Sequence, residues 1–263
     1  MDIISVLIAA AVVGVVGILA GVLLGVASEQ FKVSVDEKEI KIRELLPGNN
    51  CGGCGYPGCD GLAAAIAKGE AAPSGCPVGG EPTVAAIAAI VGGEISSRKM
   101  VAHVKCAGTC EKAKEAYEYF GPKDCKIAAN APGGGPKACP YGCTGYGSCK
   151  AVCQFDAIQI IEGIAVIDKD KCKACGMCVA ECPRHIIEMI PYEAEAVVDC
   201  NSKEFGKDVK ANCEVGCIGC GICQKNCPEG AIAVENHLAV IDYNKCTGCG
   251  TCKEKCPAKI IHE

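Results

Sequence analysis

The chain opens on one long apolar stretch and continues in short, closely spaced ones. Residues Ile3 to Ala27 are apolar apart from Ser5 and carry no charge, a run of 25 residues. A helix of that length is long enough to span a bilayer. Gly17, Gly21 and Gly25 recur every fourth position. They read equally as a small-residue stripe for a second helix and as ordinary membrane-helix glycine. Ser28 to Gly48 is charged and amphipathic and reads as a connector. The Ala-rich stretch Gly61 to Lys68 predicts a helix. A second is expected over Glu81 to Val91, with Pro82 in its first turn and Gly92-Gly93 at its end. Ser96 to Val104 reads as a linker. Further on the period shortens to two. Ile158–Ile161 with Ala165–Ile167, and Ile232–Val234 with Ala239–Ile241, predict two β-hairpins. Short helical turns are expected after Cys153 and Cys182.

Composition changes the picture sharply. The chain has 263 residues, 25 cysteines, no Trp and few aromatics. Small cysteine-rich modules need staples, either disulfides or metals. An odd cysteine number, and spacings unlike a secreted disulfide framework, point to metal and to a reducing compartment. The net charge of −5 argues against nucleic acid as a partner.

From Cys139 the sequence repeats itself. A shift of 74 residues carries Cys139, Cys143, Cys149, Cys153, Cys172, Cys175, Cys178 and Cys182 onto Cys213, Cys217, Cys223, Cys227, Cys246, Cys249, Cys252 and Cys256. Ala157-Ile158 falls on Ala231-Ile232, and Val166-Ile167-Asp168 on Val240-Ile241-Asp242. In the second copy both runs read C-x2-C-x2-C-x3-C-P. Three thiolates of each run hold one [4Fe–4S] cluster, and the fourth Cys ligates the other. The sets are therefore Cys217, Cys220, Cys223 with Cys256, and Cys246, Cys249, Cys252 with Cys227. In the first copy Cys172, Cys175 and Cys178 pair likewise with Cys153. Zinc knuckles use C-x2-C pairs rather than such triples. Upstream, Cys51, Cys54, Cys59 and Cys76 form a further pattern, C-x2-C-x4-C-x16-C. Glycines between its first three cysteines let the backbone wrap closely. A zinc site is the alternative there.

The first copy departs at one position. Tyr146 stands where the second has Cys220, so Cys143, Cys149 and Cys182 lack a standard fourth partner; Cys139 is the tentative substitute. Cys106, Cys110, Cys125, Cys139, Cys200 and Cys213 lie outside the standard sets, and Asp124-Cys125 looks equivalent to Asp199-Cys200. These six read either as buried structural thiols or as a sixth cluster site, for instance on Cys106, Cys110, Cys125 and Cys139 or across the two copies.

The expected fold class is α+β, with a single N-terminal transmembrane helix, a small helical iron–sulfur domain and two tandem two-cluster ferredoxin-like modules. The expected limits are 1–28 for the span, 29–48 for a juxtamembrane connector and 49–95 for the four-Cys domain. A Cys-containing linker follows over 96–138, then module 1 over 139–190, a linker over 191–212 and module 2 over 213–263. Asp2 precedes the apolar run with no Lys or Arg, unlike a cleaved signal peptide. Lys32, Lys38, Lys41 and Arg43 follow it, which places the body on the cytoplasmic side. No strand–GxGxxG–helix unit occurs; Gly133-Gly134-Gly135 reads as a loop. The 4 histidines are scattered, and no general acid–base pair stands out. Clusters without flavin or nicotinamide sites make an electron carrier.

The span, the Asn50-Cys51-Gly-Gly-Cys54-Gly-Tyr-Pro-Gly-Cys59 motif just after it, Cys76 and the terminal modules together resemble the RnfB (or RsxB) family of Rnf complexes. The resemblance covers essentially the whole chain and is to the long, multi-cluster form of anaerobic bacteria. It implies a subunit of a cell-membrane ferredoxin:NAD⁺ oxidoreductase that couples electron flow to sodium or proton transport. Its implied partners are soluble ferredoxin and the other membrane and peripheral subunits. Its implied cofactors are at least five [4Fe–4S] clusters, or six with the extra cysteines. The Ser-Gly-Ala-Thr sequence of the family's covalent-flavin subunits is absent. A ferredoxin-like subunit of another membrane reductase or hydrogenase is the alternative function, and a redox-inactive metal-storage protein a third. Lys203, Lys207 and Lys210 are candidates for a ferredoxin docking face, but their stretch, Ser202 to Lys210, reads more readily as a solvated linker.

Overall fold

The computed structural model of the chain describes residues 3–30, 36–93 and 98–262, with side chains of the first segment described at position 4 and from 11 to 27. Asp2, Lys32 and the expected boundary at Ser96 lie outside the described residues. The first helix, α1 (Ile3–Gln30), runs 28 residues. Its described side chains include Val13, Leu19, Leu23 and Leu24, all exposed. Among the described residues no helix is long and apolar enough to cross a membrane.

Three helices build the first cysteine domain: α2 (Glu37–Leu45), α3 (Gly58–Ala67) and α4 (Gly80–Val91). The stretch read as a connector is largely part of this domain. Asp36 caps α2 by accepting the Lys38 N–H at 2.9 Å. Ile42 and Leu46 then pack on Leu62, Ala63, Ile66 and Ile87. Full burial of one such Ile is worth about 1.5–3 kcal/mol.

Met100–Val104 is a strand, β1, where the sequence suggested a linker. It pairs antiparallel with β4 (Ile187–Pro191), Val101 opposite Ile190 and Val104 opposite Ile187. Between them lies the hairpin β2 (Ile158–Ile161) and β3 (Ile164–Ile167). The second copy repeats the plan: β5 (Val197–Val198) pairs with β8 (Ile261–His262), around the hairpin β6 (Ile232–Glu235) and β7 (Leu238–Ile241). Both hairpins close one residue nearer their turns than expected. Glu162-Gly163 and Asn236-His237 all have positive φ. That is the signature of a two-residue turn whose twist keeps the flanking residues paired.

The one-turn helices lie inside the C-x3-C spacings, not after Cys153 and Cys182. They are α6 (Ser148–Ala151), α7 (Met177–Glu181), α9 (Ile222–Lys225) and α10 (Thr251–Lys255). Each starts from a left-handed glycine. Cys182 and Cys256, each followed by Pro, are extended, because a residue before Pro is pushed out of the helical region. The remaining helices are α5 (Cys125–Ala128) and α8 (Gly206–Asn212).

The two copies are joined edge to edge. The Ala107 N–H donates to the Asp199 carbonyl at 3.0 Å, Lys114 to Asn212 at 3.0 Å and Glu214 to Lys112 at 2.9 Å. Val101, Ile190 and Val197 share one small core beneath this seam.

Candidate metal centres

Among the described residues, five pockets in the two modules are each lined by four thiols. Three hold the sets expected from spacing. Cys153, Cys172, Cys175 and Cys178 line one. Cys217, Cys220, Cys223 and Cys256 line another, and Cys227, Cys246, Cys249 and Cys252 a third. The crossed fourth ligand follows from the fold. Each C-x3-C carries its last Cys to the far end of a one-turn helix, beside the other run.

The fourth cavity corrects the sequence expectation. Cys143, Cys149 and Cys182 are joined by Cys125, not by Cys139. The cause is a local latch. Asp124 caps α5 by accepting the Lys126 and Ile127 N–H groups, each at 2.9 Å. The buried hydroxyl of Ser148 donates to Asp124 Oδ2 at 3.0 Å and accepts the Cys125 N–H at 2.8 Å. Ser148 precedes Cys149, so the latch draws Cys125 onto the Cys149 site. Tyr146, in place of a ligand, stacks on Tyr119 at 5.6 Å between ring centroids.

The fifth cavity collects Cys106, Cys139, Cys200 and Cys213. It sits on the seam between the copies. The Cys143 N–H donates to Cys106 Sγ at 3.3 Å, and the Cys217 N–H to Cys200 Sγ at 3.3 Å. Each flanking site thus touches this one through a backbone amide. Arg184 pins the loop that brings Cys139 in, donating to the Cys139 carbonyl at 3.1 Å and to those of Pro140 and Gly134. Of the extra cysteines, Cys125 and these four are thereby gathered; Cys110 stays exposed and outside every set. The Asp-Cys equivalence was the available signal. Its first member replaces the ligand lost at Tyr146. The second copy has Cys220, which frees Cys200 for the seam.

In the helical domain Cys54, Cys59 and Cys76 converge in one core. Asn50, at φ +47°, turns its Oδ1 to accept the Cys59 N–H at 2.8 Å. The loop also meets module 1. A Cβ on Gly53 would overlap the Cys175 carbonyl, and Cys51 lies close enough to bear on Cys175. Burial pushes the Cys175 thiol up, and charge at Cys51 adds to this.

The donors fit iron–sulfur clusters. Burial pushes the Cys149, Cys178 and Cys200 thiols up to about 12 and Cys223 to about 11. Such thiols hold their protons unless a metal takes the proton's place. A single zinc ion would draw its thiolates to within about 2.3 Å of one point. Among the described residues no three of His, Cys, Asp and Glu converge that way; the thiols stand around cavities instead. Cys172, Cys200 and Cys227 accept backbone N–H groups at 3.3 to 3.5 Å, contacts of the kind that tune cluster potentials.

Residues 46–78 match the Fe-S cluster family (FeS), 165–188 the 4Fe-4S binding domain and 216–260 the 4Fe-4S dicluster domain. The chain is 48% identical over 243 residues to the B subunit of the Na(+)-translocating ferredoxin:NAD(+) oxidoreductase complex of Acetobacterium woodii, covering 92% of this chain and 73% of that protein. It is 43% identical to the B subunit of the ion-translocating oxidoreductase complex of Methanosarcina acetivorans, over 89% of each. The B subunit of the proton-translocating ferredoxin:NAD(+) oxidoreductase complex of Clostridium ljungdahlii is 40% identical over 88% of this chain and 82% of its own.

Proposed function

This chain belongs to the RnfB family of ion-translocating oxidoreductase complexes, and on that ground we propose that it relays electrons from soluble ferredoxin through six cluster sites. Its role is that of an iron–sulfur electron-relay component of an oxidoreductase that works with the complex's other subunits. The observation that carries the proposal is the contiguity of the thiol sets. From Cys51, which bears on Cys175, the sets follow one another through Cys149 beside Cys178, across the seam by Cys106 and Cys200, into module 2.

We assign the ligands as Cys51, Cys54, Cys59 and Cys76; Cys153, Cys172, Cys175 and Cys178; Cys125, Cys143, Cys149 and Cys182; Cys106, Cys139, Cys200 and Cys213; Cys217, Cys220, Cys223 and Cys256; and Cys227, Cys246, Cys249 and Cys252. [4Fe–4S] clusters bound there would supply one-electron uptake and release. The thiols hold the metal and the apolar walls limit water. Membrane attachment through α1 is part of the same proposal. Its support is the 28-residue helix, the exposed apolar side chains along it and Lys38, Lys41 and Arg43 after it.

The test is anaerobic mixing of the reconstituted chain with reduced ferredoxin. The visible iron–sulfur absorption should bleach within the mixing experiment. A chain loaded with iron and sulfide that stays oxidised under reduced ferredoxin would contradict the reading.

A further inference from the structure

Lys137 stands out in the seam. It is only 8% exposed, and among the described residues no other Asp, Glu, Lys or Arg is buried to that degree. Its Nζ donates to the Gly108 carbonyl at 2.7 Å. Among the described residues no carboxylate forms an ion pair with it. A buried ammonium without a counter-charge is costly. It lines the same cavity as Cys106, Cys139, Cys200 and Cys213. Burial pushes both Cys213 and Cys143 up, and Lys137 works against that at each. The other charges on this cavity are Lys105, Asp199 and Glu204. Lys105 pairs with Glu188 at 3.3 Å, and Asp199 lies 2.9 Å from His103. Glu204 adds negative charge beside Cys139. Lys137 is therefore the cation left to face the thiol groups of two adjacent sites.

We propose that Lys137 is the fixed counter-charge of this junction, holding the redox potential of the seam site, and of the neighbouring site at Cys143, above what the same thiolates would give alone. The inference rests on the cluster assignment above. Reduction adds one electron to the site; Lys137 only compensates charge, so it is a positioning residue and takes no part in chemistry.

The experiment is an EPR-monitored potentiometric titration of the full chain as wild type, Lys137→Met and Lys137→Arg, with iron measured in each. A Cys106→Ala chain identifies the seam signals by their loss. With full iron, Lys137→Met should move those signals to more negative potential, while Lys137→Arg stays with the wild type. Unmoved potentials in Lys137→Met at full iron would overturn the inference. Should Lys137→Met lose iron, retention in Lys137→Arg supports a charge role, and loss in both overturns it in favour of shape. A wild-type chain well short of about 24 iron, at four per cubane cluster, would remove the seam site itself and this inference with it.

Discussion

At the scale of single residues, Tyr146 redirects the cysteines around it. Because it supplies no thiol, Cys125 takes the fourth position with Cys143, Cys149 and Cys182. Cys125→Ala should therefore lose about four iron per chain, at four per cluster. Adding Tyr146→Cys should restore them, since that position matches Cys220 in the complete copy. Iron analysis of the single and double variants checks this. Ser148→Ala removes the acceptor of the Cys125 N–H in a buried setting and should cost about 1–3 kcal/mol. Thermal unfolding of the loaded chain reads that loss. The spacing of the standard runs made their thiol groupings legible, because three thiols in one tight loop leave few alternatives. The place of Cys125 with Cys143, Cys149 and Cys182 was not legible. Its placement depends on a hydroxyl–carboxylate latch formed by residues 24 positions apart, which no local pattern encodes.

At the scale of elements, the hairpins and the helices α3 and α4 were readable within a residue or a few of their ends, since period-two and Ala-rich patterns act locally. β1 was not, because a five-residue strand becomes a strand only by pairing with β4, more than eighty residues on. The one-turn helices were displaced for a related reason. Each starts at a left-handed glycine, and α7 and α10 stop at a Cys before Pro, so their limits are not set by propensity. Between elements, the helical domain packs against module 1 at Gly53, beside the Cys175 backbone. Gly53→Ala puts a methyl group against the Cys175 backbone. Its iron content should match the wild type, while reduction beyond the four-Cys domain slows by roughly tenfold, as small misplacements near reacting groups do. Rapid-mixing absorption of the variant against the wild type measures this.

For the whole molecule, the modules build their cores in part from the thiols themselves. Cys200, Cys217, Cys223 and Cys252 belong to one buried cluster, and Cys143, Cys149 and Cys178 to another. Stripping the metal leaves thiol-lined pockets such as the one around Cys153 unfilled. In such modules the free energy of metal–thiolate binding is itself folding free energy. Iron chelation should therefore unfold both modules, as in other metal-dependent folds. The helical domain, with Ile42, Leu62, Ile66 and Ile87 in its core, should keep more of its helix. Circular dichroism with limited proteolysis of the chelated chain separates the two.

The central claim, that six sets of four thiols each hold a cluster, is tested most directly by iron and acid-labile sulfide per chain in anaerobically prepared protein. Six cubane clusters predict about 24 of each. About 20 would contradict the seam site, and little iron with stoichiometric zinc would contradict the relay altogether.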